Sequence, residues 1–419
     1  GPSGVSVAFP LVKAGKKVTL IDVGEVSKYP LPIGNYLSNR YNDENQSNYL
    51  IGKNFESLNN NHFDNPKQRV ARHSYLFDNF VEENNIQAKN FTPIGTHAQG
   101  GLSNIWGATV ATFDDLDFKG SIMEDINLSS NYADIIKRIG VSGNLTDDLS
   151  EYFGQGHNIQ KEPKLDTILN NVLNQYSHKK KIINNEGIKI GRSRNAILTN
   201  KLNNRSGCQN CGMCLYGCSI DSIYTANYDL RELIKYSNFE YIPEKILKKI
   251  VPSEGKNIAN IYDVNQQTIE KIEFKNIILA CGPLASTKIV LESLNLYKKK
   301  INFLSNPRTF FALFFPKYLG STFTSDSYNF GQIAYTYKSN SNYFLDSKRN
   351  VDAFGVFYNI QGIPLNEFVR EKSFLSRITS RRILKYIMPS IRVANCYMPG
   401  EFTDHRIMLD ANSSLHIEG

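Results

Sequence analysis

Two groups of residues in this chain have the types and spacing to do chemistry. Cys208, Cys211, Cys214 and Cys218 follow C-x2-C-x2-C-x3-C and are four of the six cysteines. Thiolates so spaced suit an iron–sulfur cluster, as in one half-motif of bacterial ferredoxins, although Ser219 stands where proline would follow. A single cluster would take Cys218, or a distant thiol such as Cys281 or Cys396, as its last ligand. Four thiolates also suit a closed structural zinc site. Protonated, they are small hydrophobes in a glycine-rich turn. The spacing leaves all three open.

The second group opens the chain. Gly1 and Gly4 stand as the second and third glycines of G-x-G-x-x-G, whose first strand and first glycine would lie before residue 1. A bare Cα at Gly1 lets backbone approach a pyrophosphate, and Gly4 lets the helix pack close to its strand. Pro2 and Ser3 begin that helix, whose N-terminus offers free N–H groups and about half a positive charge to a diphosphate. Asp22, roughly twenty residues on, can accept hydrogen bonds from ribose hydroxyls.

A third stretch, 91–113, sets Gly95, Gly100, Gly101 and Gly107 around the only tryptophan, Trp106. Backbone this bare can lie along a flat ligand. The same composition describes a glycine-rich turn with a core tryptophan. Asn104 can bond such a ligand or cap its own loop.

The elements that must position these residues follow from pattern. A helix runs from Pro2 to a C-terminal glycine at Gly15, with a kink expected at Pro10, and a strand covers 17–23. The polar stretch 26–90 reads as loops and short helices. A helix is expected over 165–176 from Leu165, Ile168, Leu169, Val172 and Leu173, and another over 226–236. Strands at 240–242, 246–250, 258–264 and 268–274, with polar turns between, suit an antiparallel meander. Residues 276–281 read as a buried parallel strand, Gly282 and Pro283 as its turn, and 284–294 as a helix. Strands then follow at 310–315, 331–337, 353–360, 390–397 and 405–409. Between them, 366–387 reads as a helix carrying Arg370, Arg377, Arg381 and Lys385. That helix is a solvated face by default and a membrane-surface or anionic-partner contact otherwise.

Bulk properties narrow the classes. With 419 residues, 41% hydrophobic and 21% charged, the chain is globular and long enough for two or three domains. The net charge of +8 is scattered, with no basic stripe interleaved with aromatics, so nucleic acid is not an expected partner. Crowded cysteines argue for a reducing, cytoplasmic setting over a secreted disulfide framework. His62, His73, His157 and His178 carry no specific signal.

GPSG, Asp22 at a strand end, GGLSNIWG at 100–107 and KIEFKNIILACGPLASTKIVLESL at 271–294 together resemble the FAD-dependent glucose-methanol-choline oxidoreductases. The second motif is most similar to the bacterial and pyranose-oxidase-like branches. The resemblance implies an α/β fold. It would pair a Rossmann-like FAD-binding domain (1–113 and 207–296, with a β-meander) with an α+β cap and substrate domain on an antiparallel sheet (114–206 and 297–419). It implies oxidation of a CH–OH group of an alcohol or sugar by hydride transfer to flavin, and an electron-acceptor protein or quinone as a further partner. The cofactor-binding residues it points to are Gly1, Pro2, Ser3, Gly4, Asp22, Gly100, Gly101, Ser103, Asn104, Trp106, Gly282 and Pro283. Some branches bond flavin to a histidine just before the tryptophan; Ile105 stands here, which implies non-covalent FAD. Some hold an iron–sulfur cluster at the cysteine segment. The family's catalytic histidine is expected beyond residue 419. Another flavoprotein, such as a C=C reductase, and a non-catalytic binding module remain the alternatives.

Overall fold

A computed structural model describes all residues except 35–38, 40, 55, 60–69, 114, 155–158, 254–255, 323–327, 340–350 and 360–374. The fold is mixed α/β. Its first helix, α1 (Pro2–Lys13), forms because Val5, Ala8, Phe9 and Val12 recur on one face and are buried. Gly15, at φ +74°, closes it, with its N–H bonded to Val12 O. Pro10 sits one turn before the end, and the helix continues through it to Lys13.

The strands in chain order are β1 (Val18–Ile21), β2 (Ile86–Lys89), β3 (Ser142–Gly143), β4 (Gln160–Lys161), β5 (Ile188–Arg192), β6 (Phe239–Ile242), β7 (Lys245–Ser253), β8 (Lys256–Asp263) and β9 (Thr268–Phe274). They continue as β10 (Ile301–Phe303), β11 (Arg308–Phe314), β12 (Ile333–Tyr337), β13 (Ala353–Tyr358), β14 (Ile391–Tyr397), β15 (His405–Leu409) and β16 (Leu415–Glu418). The longer helices after α1 are α2 (Ser129–Ile139), α3 (Thr167–Asn185), α4 (Ala226–Leu233), α5 (Pro283–Ser293) and α6 (Arg377–Ile387). The part of the expected basic helix at 366–374 lies outside the described residues, as do His62 and His157.

β1 and β6 form a parallel pair, with Val18 opposite Phe239 and Ile21 opposite Ile242. α1 and α4 cover it, burying Val5, Ala8, Phe9, Val12, Ala226, Leu230, Leu233 and Phe239 in one cluster. β7, β8 and β9 are an antiparallel meander, as expected, but 240–242, expected as its first strand, lies in β6 and pairs parallel with β1 instead. The late strands build a five-stranded sheet in the order β11-β14-β13-β12-β5. β5 thus reaches this sheet from well before it in sequence. A four-stranded sheet, β10-β15-β16-β2, joins late strands to one from residues 86–89. Its inner face packs Leu409, Leu415 and Ile417 against Leu284 and Leu291 of α5. β3 and β4 are a two-residue parallel pair.

One strand expectation is corrected. Residues 276–281 form no strand, and Ile277 and Ile278 are 37% and 57% exposed. A parallel strand takes its hydrogen bonds from neighbours on both sides. Among the described residues nothing pairs with this segment, while the turn after it forms as expected: Gly282 (φ +81°) caps α5 and Pro283 opens it.

No helix among the described residues is long and apolar enough to cross a membrane.

Candidate functional site

The N-terminus of α1 and the glycine turn at 100–101 meet. Gly1 caps α1, and Pro2 sits at its first position, where a missing N–H leaves no helical bond unmade. A Cβ placed on Gly101 would stand 3.0 Å from the Cα of Gly1. Gly101 has φ +63° and Gly100 φ +84°, conformations that L side chains rarely adopt. On Gly100 a Cβ would come within 2.6 Å of Asn227 Oδ1. The turn therefore requires both glycines, for backbone shape and for room.

Gly1 and Gly4 are less constrained. A Cβ on Gly1 would lie 3.7 Å from Gly101 Cα, and one on Gly4 3.7 Å from Ala280 Cβ and 3.8 Å from Leu20 Cδ1. Those are ordinary contacts, so the close packing expected of Gly4 leaves space for a methyl group. Gly4 nonetheless places α1 over both β1 and Ala280, which brings the segment ending at Cys281 and Gly282 to the same end of β1.

Asp22 follows β1, and its N–H donates to Ile242 O at 3.1 Å. Burial pushes its carboxyl above the ordinary value; the N–H groups of Val23 and Gly24 work against that. Desolvation first, and then the Asp22 carboxylate, push the Cys281 thiol up. Asp22 and Cys281 thus feel one another electrostatically. Tyr241, across β6, has its own hydroxyl pKa raised, by burial and then by Asp22, and accepts from Gln99 Nε2 at 3.4 Å.

Side chains fix the glycine turn. Ser103 Oγ donates to Gly100 O at 2.6 Å and accepts from Ala226 N at 2.9 Å. Asn104 Nδ2 donates to Gln99 O at 2.9 Å and Gly101 O at 2.7 Å. Asn227 Nδ2 donates to Asn104 Oδ1 at 2.9 Å. Sequence reasoning singled out Ser103 and Asn104 and missed Asn227. The only signal at Asn227 is an asparagine in the first turn of a helix, which reads as capping.

Trp106 lies beside this turn but faces the core. Its indole N–H donates to Tyr224 O at 2.9 Å, and the two rings meet edge-to-face at 6.1 Å. It packs between two apolar clusters, one of which takes Cys208, Cys214 and Cys218.

The four cysteines are free thiols. Burial pushes Cys208 and Cys211 up and Cys214 well above its ordinary value; neighbouring thiols add to the rise. Backbone N–H groups donate to Cys208 Sγ (from Asn210, 3.4 Å) and Cys214 Sγ (from Asn329, 3.3 Å). Among the described residues no three His, Cys, Asp or Glu side chains gather as a metal cage. As arranged among the described residues, this donor set does not fit an iron–sulfur cluster or zinc. Packing against Ala108, Ile197, Ile223, Tyr328 and Phe330 is what the segment does here.

The residues around Gly1 do fit a dinucleotide. The cradle is bare where the glycines require it, a twelve-residue helix points its N-terminus there, and one buried acceptor beside it, Asn227 Oδ1, has no partner.

No family model and no curated protein matches the chain. A solved structure described as that of a new fungal aryl-alcohol oxidase aligns at 15% identity over 70% of this chain and 46% of that one, with a TM-score of 0.38. The chain spans less than half the length of that protein, and so loose a superposition decides neither fold family nor activity.

Proposed function

We propose that this chain carries the nucleotide-binding part of an FAD-dependent oxidoreductase acting on a CH–OH group of an alcohol or sugar. The observation that supports it best is the approach of the α1 N-terminus to the Gly100 and Gly101 turn, with Asp22 at the end of the adjoining strand. In this reading the first-turn N–H groups of α1, at Ser3 and Gly4, receive the diphosphate, because a helix N-terminus favours anions. Asp22 accepts from the ribose hydroxyls. The turn carrying Gly100, Gly101, Ser103 and Asn104 lies along the flavin, with Trp106 behind it as packing. Gly282 and Pro283 bring the N-terminus of α5 to the same end of the sheet. Bound non-covalently, FAD would supply the hydride acceptor. An acceptor protein or quinone would complete turnover.

No histidine among the described residues is assigned as the base. His416 is held by Asp410 at 2.9 Å on the four-stranded sheet. His97 packs on Phe80 at 5.3 Å and meets Asn84 at 3.3 Å.

The test is an absorption spectrum of the full-length protein purified without oxygen. Flavin bands that bleach on adding a primary alcohol or aldose support the proposal. A colourless protein that stays colourless after incubation with FAD sinks it. A broad brown absorbance beside the flavin bands would return the four cysteines to the electron path.

A further inference from the structure

The three side chains on the glycine turn form a chain with a direction. Asn104 Nδ2 is committed to two carbonyls, Gln99 O and Gly101 O. That commitment turns Asn104 Oδ1 toward α4, where only a donor is acceptable, and Asn227 presents its Nδ2. The amide of Asn227 is thereby oriented, and its Oδ1 is left buried with no partner, directly behind Gly100. Ser103 ties the same turn to the N–H of Ala226, the residue before Asn227. Three successive turn carbonyls, at Gln99, Gly100 and Gly101, are held by side chains whose anchor is the first turn of α4. Gly101 in turn rests against Gly1.

An apolar residue at this place would avoid the stability penalty of an unpaired buried carbonyl. Such unsatisfied groups in folded proteins call for an explanation, and functional sites are where they concentrate. We propose that Asn227 is a positioning residue for the cofactor. Acting through Asn104, it holds the Gly100 and Gly101 turn at the distance from the α1 N-terminus that a bound dinucleotide needs. This inference rests on the FAD reading. It adds a residue outside every motif and assigns the unpaired oxygen to a task.

The variants are Asn227→Ala and Asn227→Asp in the full-length protein. Alanine removes the donor and the orphaned oxygen together. Aspartate keeps the shape but turns an acceptor toward Asn104 Oδ1. Both are expected to raise the FAD dissociation constant about tenfold or more, the size of one hydrogen bond whose partner is left unpaired. Both are also expected to shift the flavin midpoint potential, because the turn no longer sits at one height along the ring. The melting temperature of the Asn227→Ala apoprotein should stay about level, because one unpaired buried oxygen, Asn227 Oδ1, is exchanged for another, Asn104 Oδ1. Affinity and potential within twofold and a few millivolts of the unaltered protein would overturn the proposal. So would affinity lost only in step with apoprotein melting, which marks a purely structural residue. If the unaltered protein takes up no FAD, the functional reading fails first, and visibly so.

Discussion

Two stretches expected to line the same cofactor end up unlike each other. The turn from Gln99 to Asn104 is tied down at each of its first three carbonyls by a neighbouring side chain. The segment 276–281 forms no strand, pairs with none among the described residues and leaves Ile277 and Ile278 exposed. The turn is self-sufficient because short polar side chains near in sequence can satisfy its backbone. A central parallel strand has no such resource, since all its bonds are non-local. The turn is therefore held by side chains near in sequence, whereas a strand at 276–281 would need non-local partners.

The largest effect should come from the turn. Gly100→Ala places a Cβ in a left-handed conformation and within 2.6 Å of Asn227 Oδ1. Left-handed backbone costs an ordinary residue about 1–2 kcal/mol before any clash. Flavin retention should be abolished and the melting temperature should fall. Combining it with Asn227→Ala removes the clash but not the backbone penalty, so stability should be recovered in part. Full recovery would show that only room matters at Gly100; none would show that only the backbone does. Gly101→Ala has no such rescue, because its 3.0 Å neighbour is the Gly1 Cα.

Next in size is the carboxylate beside the cradle. Burial raises the Asp22 pKa in the folded chain, so its protonated form is the better tolerated one. The stabilising contribution of that form is complete below the unfolded carboxylate value, near pH 4, and is lost as pH rises through the higher folded value. Asp22→Asn should therefore stabilise the apoprotein at pH 7, and the difference should vanish by pH 3. The same change should weaken FAD binding, since an amide replaces the ribose acceptor. Denaturant titrations at the two pH values, with and without FAD, check both signs. A variant less stable at pH 7 would mean that the carboxylate is supported in the folded chain rather than penalised.

What could be read from the sequence divides along the same line as the two stretches. α1 was legible because Val5, Ala8, Phe9 and Val12 keep one period and Gly15 ends it. The meander was legible over β7, β8 and β9 because each pairs with the next, whereas the parallel pairing of 240–242 with β1 joins residues far apart in sequence. α3 was legible in its core but begins at Thr167, because the Asp166 carboxylate accepts from Leu169 N and also pairs with Arg392 from β14. The pairings of β2 with β16 and β5 with β12 carry no local mark, since each joins residues far apart in sequence. At the site, Gly100 and Gly101 were legible as bare backbone. Asn227 was not, because its importance lies in what two other side chains had already used.

The smallest expected effect tests the other side of the comparison. Ile278→Thr removes apolar surface at a position that is already 57% exposed and in no ladder. An exchange at such a surface position shifts stability by within about 0.5 kcal/mol. Amide exchange across 276–280 should likewise be fast beside that of β1, whose backbone bonds to β6 are made. If the full-length protein instead loses about 2 kcal/mol or more, as a truncated core side chain does, and protects those amides, the segment is the buried strand that its sequence predicts. The contrast would then lie in the company each stretch keeps: the turn carries its partners within reach, and the strand receives them from elsewhere.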